Sequence, residues 1–318
     1  YLRAPDVYFN IVGKLSDKLV PLGEVADIRR GFTSGVNQFF YLTEDRRRRW
    51  QIEEEFLMPL IKSPKELASI LVDPAQLKVQ VFVCHKSRVE LLKAGKKRAL
   101  NYIEWAENQT TRGRQKTPGG VAWPDTPSLR NRRRWYDVGE LEKADYLCNR
   151  FFDVRFFFGY NRYGVMDDQT FYGAISRNKT LSRLQSALLN STLSYLFVEL
   201  MGRTALGGGA LQYAVYEMTN LPVIDAAGID QTGALEITEI FDSLSRRHIK
   251  SIFEEVRLED RQKLDTIILE ALGLDAGEYL QPIYDSLTEL VKERIELANM
   301  RKRVKQVKTQ SSIDKLPE

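Results

Sequence analysis

The chain holds 318 residues, of which 43% are hydrophobic and 28% charged, enough apolar side chains to close one large domain or two. Its formal net charge of +4 divides into +8 over residues 1–225 and −4 over residues 226–318. With only Cys84, Cys148, His85 and His248 as cysteines and histidines, a disulfide scaffold and a structural zinc module are both excluded. The most apolar run, Leu188 to Met201, is broken by Asn190, Ser191, Thr192 and Glu199, which rules out a membrane-spanning helix.

Chain order gives a coarse map. Leu22 to Ile28 reads as a short helix or strand that stops at Arg29-Arg30-Gly31, and Gly31 and Gly35 bracket a turn. Phe39 to Leu42 has strand character, closed by a polar stretch from Thr43 to Arg49. Further short strands are expected at Val79–Val83, Val165–Met166, Phe171–Ile175 and Leu221–Ile224, separated by loops rather than regular helices. Glu90 to Glu107 and Lys179 to Met201 read as helices, the second on the three-four spacing of Leu181, Leu184, Leu188, Leu193 and Leu196. After Gly233 the pattern turns helical: Ile237 to Phe253 as one helix or a kinked pair, Arg261 to Leu272 stopped by Gly273, and Tyr279 to Val304. In the last of these Leu287, Leu290, Val291, Ile295 and Leu297 should face inward, with Glu289, Glu293, Glu296, Lys292 and Arg294 outward. Residues beyond Val304 should fray. The expected class is therefore α+β, a mixed loop-rich domain over residues 1–225 followed by a small helical packing unit over 226–318.

Positive charge gathers in the first part. The window Lys86 to Arg134 carries thirteen Lys/Arg against four acidic residues, and Arg46 to Arg49 form a separate run. Such clustering is the footprint of a polyanion partner. Arg46, Arg47, Arg112, Arg114, Lys116, Arg130, Arg132, Arg133 and Arg134 are the candidate phosphate or base contacts, since guanidinium forks bind phosphate and guanine edges bidentately, and Tyr136 could stack beside them. The plainer reading is a solvated cationic face with Trp135 buried beneath it.

Enzyme constellations are missing. Gly207-Gly208-Gly209 follows a helix instead of joining a strand to one, so it matches neither a P-loop nor a dinucleotide fingerprint. His85 and His248 lack the neighbours of a catalytic triad, and Glu53-Glu54-Glu55 reads as a solvated face rather than a metal cluster.

One stretch carries a resemblance. Gly31-Phe32-Thr33-Ser34-Gly35-Val36-Asn37-Gln38-Phe39-Phe40 resembles the Gly-x-x-Thr-Gly-x-Asn-x-x-Phe segment opening the target-recognition region of N6-adenine DNA methyltransferases, including those fused to nucleases in type IIG restriction-modification enzymes. Matching pieces follow in order: Tyr1 to Pro5, Pro59 to Ser63, Arg134-Trp135-Tyr136, Leu189-Asn190-Ser191, Gly202-Arg203, Gly207 to Leu211, Leu221-Pro222-Val223, and the helices from Arg261 to Arg301. Ser34 departs from the pattern, making Thr-Ser-Gly where Thr-Gly is expected.

The resemblance implies binding of double-stranded DNA, with Gly31, Thr33, Ser34, Gly35 and Asn37 on the recognition surface. The family's Asn/Asp-Pro-Pro-Tyr/Phe centre and its S-adenosylmethionine loop are not found in this sequence, where no two prolines are adjacent. Catalysis and S-adenosylmethionine would then belong to an N-terminal methyltransferase domain or a separate methylase subunit, and the chain itself would hold no cofactor. A first residue of Tyr1, with no leader after it, sets the expectation of a cytoplasmic piece of a longer protein. Competing readings are a type I-like specificity subunit that docks methylase subunits, a stand-alone nucleic-acid enzyme, and a protein-interaction module with an incidental basic face.

Overall fold

A computed structural model of the chain describes residues 3–113, 119–204 and 209–313. Among them the class is α+β, with two four-stranded sheets. In the first, strand Ala26–Arg30 pairs with Phe171–Ser176, which pairs with Tyr146–Asn149, which pairs with Phe158–Tyr160, all antiparallel. In the second, Tyr41–Thr43 pairs with Val79–Phe82 and that with Leu57–Ile61, both antiparallel, and Met166–Asp167 closes the edge in parallel. Residues 166–171 therefore leave one sheet and enter the other, and the turn after Arg30 lies against this crossing. The Phe32 N–H donates to the carbonyl of Asp167 at 2.6 Å, the Gln169 N–H to Phe32 at 3.1 Å, and the Gly31 N–H to Phe171 at 3.1 Å.

Two apolar clusters support the sheets. One is aromatic and lies over residues 32–136: Phe39 stacks on Tyr102 with ring centroids 5.0 Å apart, Tyr102 on Trp105 at 5.5 Å, and Trp135 meets Phe39 at 4.6 Å. The buried Tyr102 hydroxyl finds the carbonyl of Phe39 at 2.6 Å, as a buried phenol must. The other cluster runs from Val7 through the first sheet to Val291, so the C-terminal helices share it with strands such as Tyr146–Asn149. Polar ties cross the same seam: Asp265 accepts from the Thr192 N–H at 2.8 Å and the Tyr284 hydroxyl at 3.0 Å, and Arg294, itself 1% exposed, pairs with Glu199 at 3.0 Å.

Several elements differ from the sequence expectation. Asn37–Phe40 is one helical turn, with strand only from Tyr41, because the chain must reverse out of the Gly35 turn before it can pair. The polar stretch after it is a helix, Glu44–Trp50. Glu90–Glu107 divides into Arg88–Lys93 and Lys97–Glu107, broken at Gly95, which sits at φ 68°. The Glu53 carboxylate, expected in solvent, accepts the N–H groups of Arg98 and Ala99 at the start of the second piece, an anion on a helix N-terminus. Lys179–Met201 likewise splits into Ser182–Leu189 and Thr192–Met201, where the Ser191 side chain caps the second helix.

Farther on, helices run over Gln231–Leu244, Ile252–Glu255, Glu259–Ala271 and Ala276–Ile313. The last is helical as far as Ile313, past Val304 where fraying was expected, with no Gly or Pro between the two. Its inward face is corrected too. Leu287, Leu290 and Val291 are buried as expected, but Leu297 is 49% exposed and Arg294 turns inward to Glu199.

Candidate nucleic-acid interface

Gly31 opens the turn after Arg30 because nothing larger fits: a Cβ there would overlap the carbonyl of Asp168. Phe32 goes inward and Thr33 stays outside. Ser34, the residue foreign to the pattern, is 2% exposed and hydrogen-bonds Asn37 through its hydroxyl. It ties the base of the turn. Gly35 follows at φ 82°, in the left-handed region that glycine enters freely. Val36 is buried, and Asn37 and Gln38 are exposed.

Beneath the turn lies a polar frame. Arg29 forks onto Asp167, Nη2 to Oδ1 at 2.6 Å and Nη1 to Oδ2 at 3.0 Å. Burial pushes the Asp167 carboxyl above the usual range against the pull of Arg29. Asp168 accepts the Tyr41 hydroxyl and the Thr170 N–H, the latter at 3.0 Å. On the other side, Arg132 donates Nη2 to the carbonyls of Ser34 at 3.1 Å and Thr33 at 3.4 Å, with its guanidinium 5.2 Å from the Phe40 ring centroid. Burial lowers the Arg132 pKa from its ordinary value.

Polar side chains from three segments converge. Thr33, Asn37 and Gln38 from the turn, Thr111 and Arg112 from the loop after the Lys97–Glu107 helix, and Gln169 from the sheet crossing line one open concavity floored by Ser34, Val36 and Trp123. Its lining holds no carboxylate. The surface is thus a ring of amide, hydroxyl and guanidinium groups, able to meet base edges and phosphates.

The other candidates separate into two groups. Arg130 and Arg133 are exposed, whereas Arg134 donates to the His85 carbonyl and to Asp137 at 3.0 Å. Burial works against the Asp137 carboxylate, yet bonds from His85 and the Gly139 N–H, with Arg134 nearby, hold it below the ordinary range. Tyr136 is 3% exposed and its hydroxyl donates to the Lys86 carbonyl at 3.1 Å, leaving no ring face for stacking. Arg46 and Arg47 are half-buried on the Glu44–Trp50 helix, and Arg47 lines a separate hollow with Arg48, Glu53, Glu54 and Arg98. Arg114 and Lys116, like Gly207 and Gly208, lie outside the described residues. Gln38, Thr111 and Gln169 were missed by the sequence reading. Gln169 carries no local signal, since only the sheet crossing brings it to Phe32.

No group of three or more His, Cys, Asp or Glu among the described residues could hold a metal ion, and no described helix is long and apolar enough to cross a membrane.

Residues 9–262 match a family model described as type II methyltransferase M.Eco57I, C-terminal domain. No curated protein matches the chain. Among solved structures, the type IIG restriction endonuclease BpuSI superposes with a TM-score of 0.68 at 16% identity, over 91% of this chain and 33% of that one. The type IIL restriction-modification enzyme MmeI, in complex with DNA, gives 0.46 at 13% identity, over 87% of this chain and 36% of that one. The chain spans about a third of the length of these solved structures, and at such identity the likeness to BpuSI is one of fold.

Proposed function

The chain belongs to the family of the type II methyltransferase M.Eco57I C-terminal domain, and from that premise we propose that it supplies DNA target recognition to a restriction-modification methyltransferase. The observation that carries this is the concavity at the sheet crossing, where Thr33, Asn37, Gln38, Arg112 and Gln169 meet without a carboxylate. Duplex DNA offers what such a surface needs, phosphates to position it and base edges to be read. Arg130 and Arg133 add exposed positive charge elsewhere on the same part of the chain. The recognition role falls within residues 1–225, and residues 226–318 act as a helical packing unit whose net charge of −4 keeps it from phosphate.

In this reading the methyl transfer, directed to the N6 amine of adenine, takes place in a catalytic part outside this chain, and S-adenosylmethionine binds there. The concavity does not suit that cofactor, because a lining without a carboxylate has no acidic partner for a ribose. The partners are double-stranded DNA and the methyltransferase domain or subunit, in the cytoplasm.

The test is selection of duplexes from a randomised pool by the 318-residue chain at physiological salt. Enrichment of one short sequence over the pool is expected. Retention of all duplexes alike would leave only a basic surface, and retention of none would overturn the reading.

A further inference from the structure

Arg29 and Arg30 are neighbours with opposite fates. Arg29 is tied to the buried Asp167, while Arg30, the last residue of its strand, is exposed and opposite Tyr172 in the sheet. Among the described residues its guanidinium makes one hydrogen bond, Nη2 to Oε1 of Gln169 at 3.0 Å. Gln169 is itself fixed through its backbone, its N–H on the Phe32 carbonyl at 3.1 Å and its carbonyl accepting Nη1 of Arg150 at 3.2 Å. The amide tip thus lines the concavity from a backbone held on both sides, with Arg30 bonded to it.

We propose that Arg30 and Gln169 form a guanine-reading pair, a deepening that rests on the DNA-recognition function above. The chemistry follows from donors and acceptors. The Gln169 oxygen faces Arg30 and spends one of its two lone pairs there, so the pair offers chiefly N–H groups, those left on the guanidinium and those of the Gln169 amide. In the major groove guanine shows two neighbouring acceptors, N7 and O6, whereas adenine shows one acceptor beside a donor, and the pyrimidines show neither pattern. A surface dominated by donors therefore favours guanine and sets the adenine N6 amine against another donor. A free glutamine would have favoured adenine through its oxygen and nitrogen together. Arg30 takes one of the two lone pairs of that oxygen and turns it toward itself, which disfavours the adenine option. Arg30 is exposed and braced on one side, as a bidentate reader must be.

The experiment is duplex selection from a randomised pool with the 318-residue chain and its Arg30→Lys, Arg30→Ala and Gln169→Ala variants, each checked for an unchanged melting temperature. Arg30→Lys keeps the charge but loses the fork. In the wild-type motif one position is expected to be guanine, and both Arg30 variants should lower that preference about tenfold or more while the remaining positions keep theirs. Gln169→Ala should weaken the same position. A motif unchanged in all three variants, or affinity lost evenly across sequences, would overturn the pair and place Arg30 on a phosphate. A wild-type chain that binds duplexes but enriches no motif would overturn the recognition function itself, a different result from motif retention in the variants.

Discussion

Arg132 donates to the carbonyl of Ser34 at 3.1 Å across 98 residues of sequence. That bond divides the basic run Arg130–Arg134 by task. Arg132 and Arg134 hold backbone, while Arg130 and Arg133 stand in solvent. Arg132→Ala should cost about 1.5–3 kcal/mol, the range for a hydrogen bond with a charged partner, and should weaken every sequence preference at once by loosening the turn. Urea unfolding and duplex selection measure the two effects; an unaltered midpoint would contradict the role.

Arg112 and Arg133 behave otherwise. Each alanine replacement should leave stability unchanged and reduce the slope of log affinity against log salt by about 0.9. Titration of a fixed duplex at several salt concentrations gives the slope. A slope equal to that of the unmodified chain would return the arginine concerned to the solvated face.

Gly31 and Gly35 differ in how they fail. Gly31→Ala puts a methyl group into the Asp168 carbonyl, so the strand and the sheet crossing must part. Gly35→Ala meets the Ser128 side chain and must also hold φ 82°, a strain of about 1–2 kcal/mol. Thermal melts should therefore place Gly31→Ala below Gly35→Ala, and the reverse order would show that the crossing yields easily.

Burial raises the Glu199 carboxyl pKa against the pull of Arg294. Arg294→Ala leaves that carboxylate buried with only the half-exposed Arg3 near it, at 3.9 Å, at a cost of up to about 3–5 kcal/mol. Replacing both, as Arg294→Met with Glu199→Leu, should recover most of it. Denaturant unfolding of the single and double variants decides, and a double variant no better than the single would mean that packing of the helix, not charge, had been lost.

The thiols predict a pH effect. Burial pushes Cys84 from its ordinary 9.0 up to about 11, and Cys148 moves the same way. A folded-state pKa raised in this manner contributes stability below the unfolded value, lost as pH rises from about 9 toward 11, because the unfolded thiols ionise first. Neither cysteine should react with a disulfide reagent at pH 8 until denaturant is added. Stoichiometric reaction of the native chain would contradict their burial.

How much of this could be read from the residues varies from place to place. The helices after Gly233 were legible, since Ile237, Phe241 and Leu244 or Leu264, Ile268 and Leu272 repeat on one face. Strands Tyr146–Asn149 and Phe158–Tyr160 were not: buried on both faces, they show no alternation and are too short to stand out. Arg294 read as an outward charge because its partner, Glu199, lies on another helix. The Gly31–Asn37 turn was visible as a motif, and the concavity around it was not, because Arg112 and Gln169 reach it only through the fold. Tyr136 beside a run of arginines looked like a stacking platform for the same reason. Nothing local reveals that its hydroxyl is claimed by Lys86.

On the proposed function, the Gly31–Asn37 turn separates residues that build from residues that would read. Gly31, Ser34, Asp167, Asp168 and Arg132 fix the backbone, whereas Thr33 and Gln38 end in solvent, and Asn37 is exposed while its Oδ1 accepts the Ser34 hydroxyl. Substitution at the tips leaves the frame intact, and the few groups that touch a base can change one at a time. A restriction-modification enzyme built this way could drift to a new target without first losing its fold, so that lineages sharing one scaffold would come to guard different sequences.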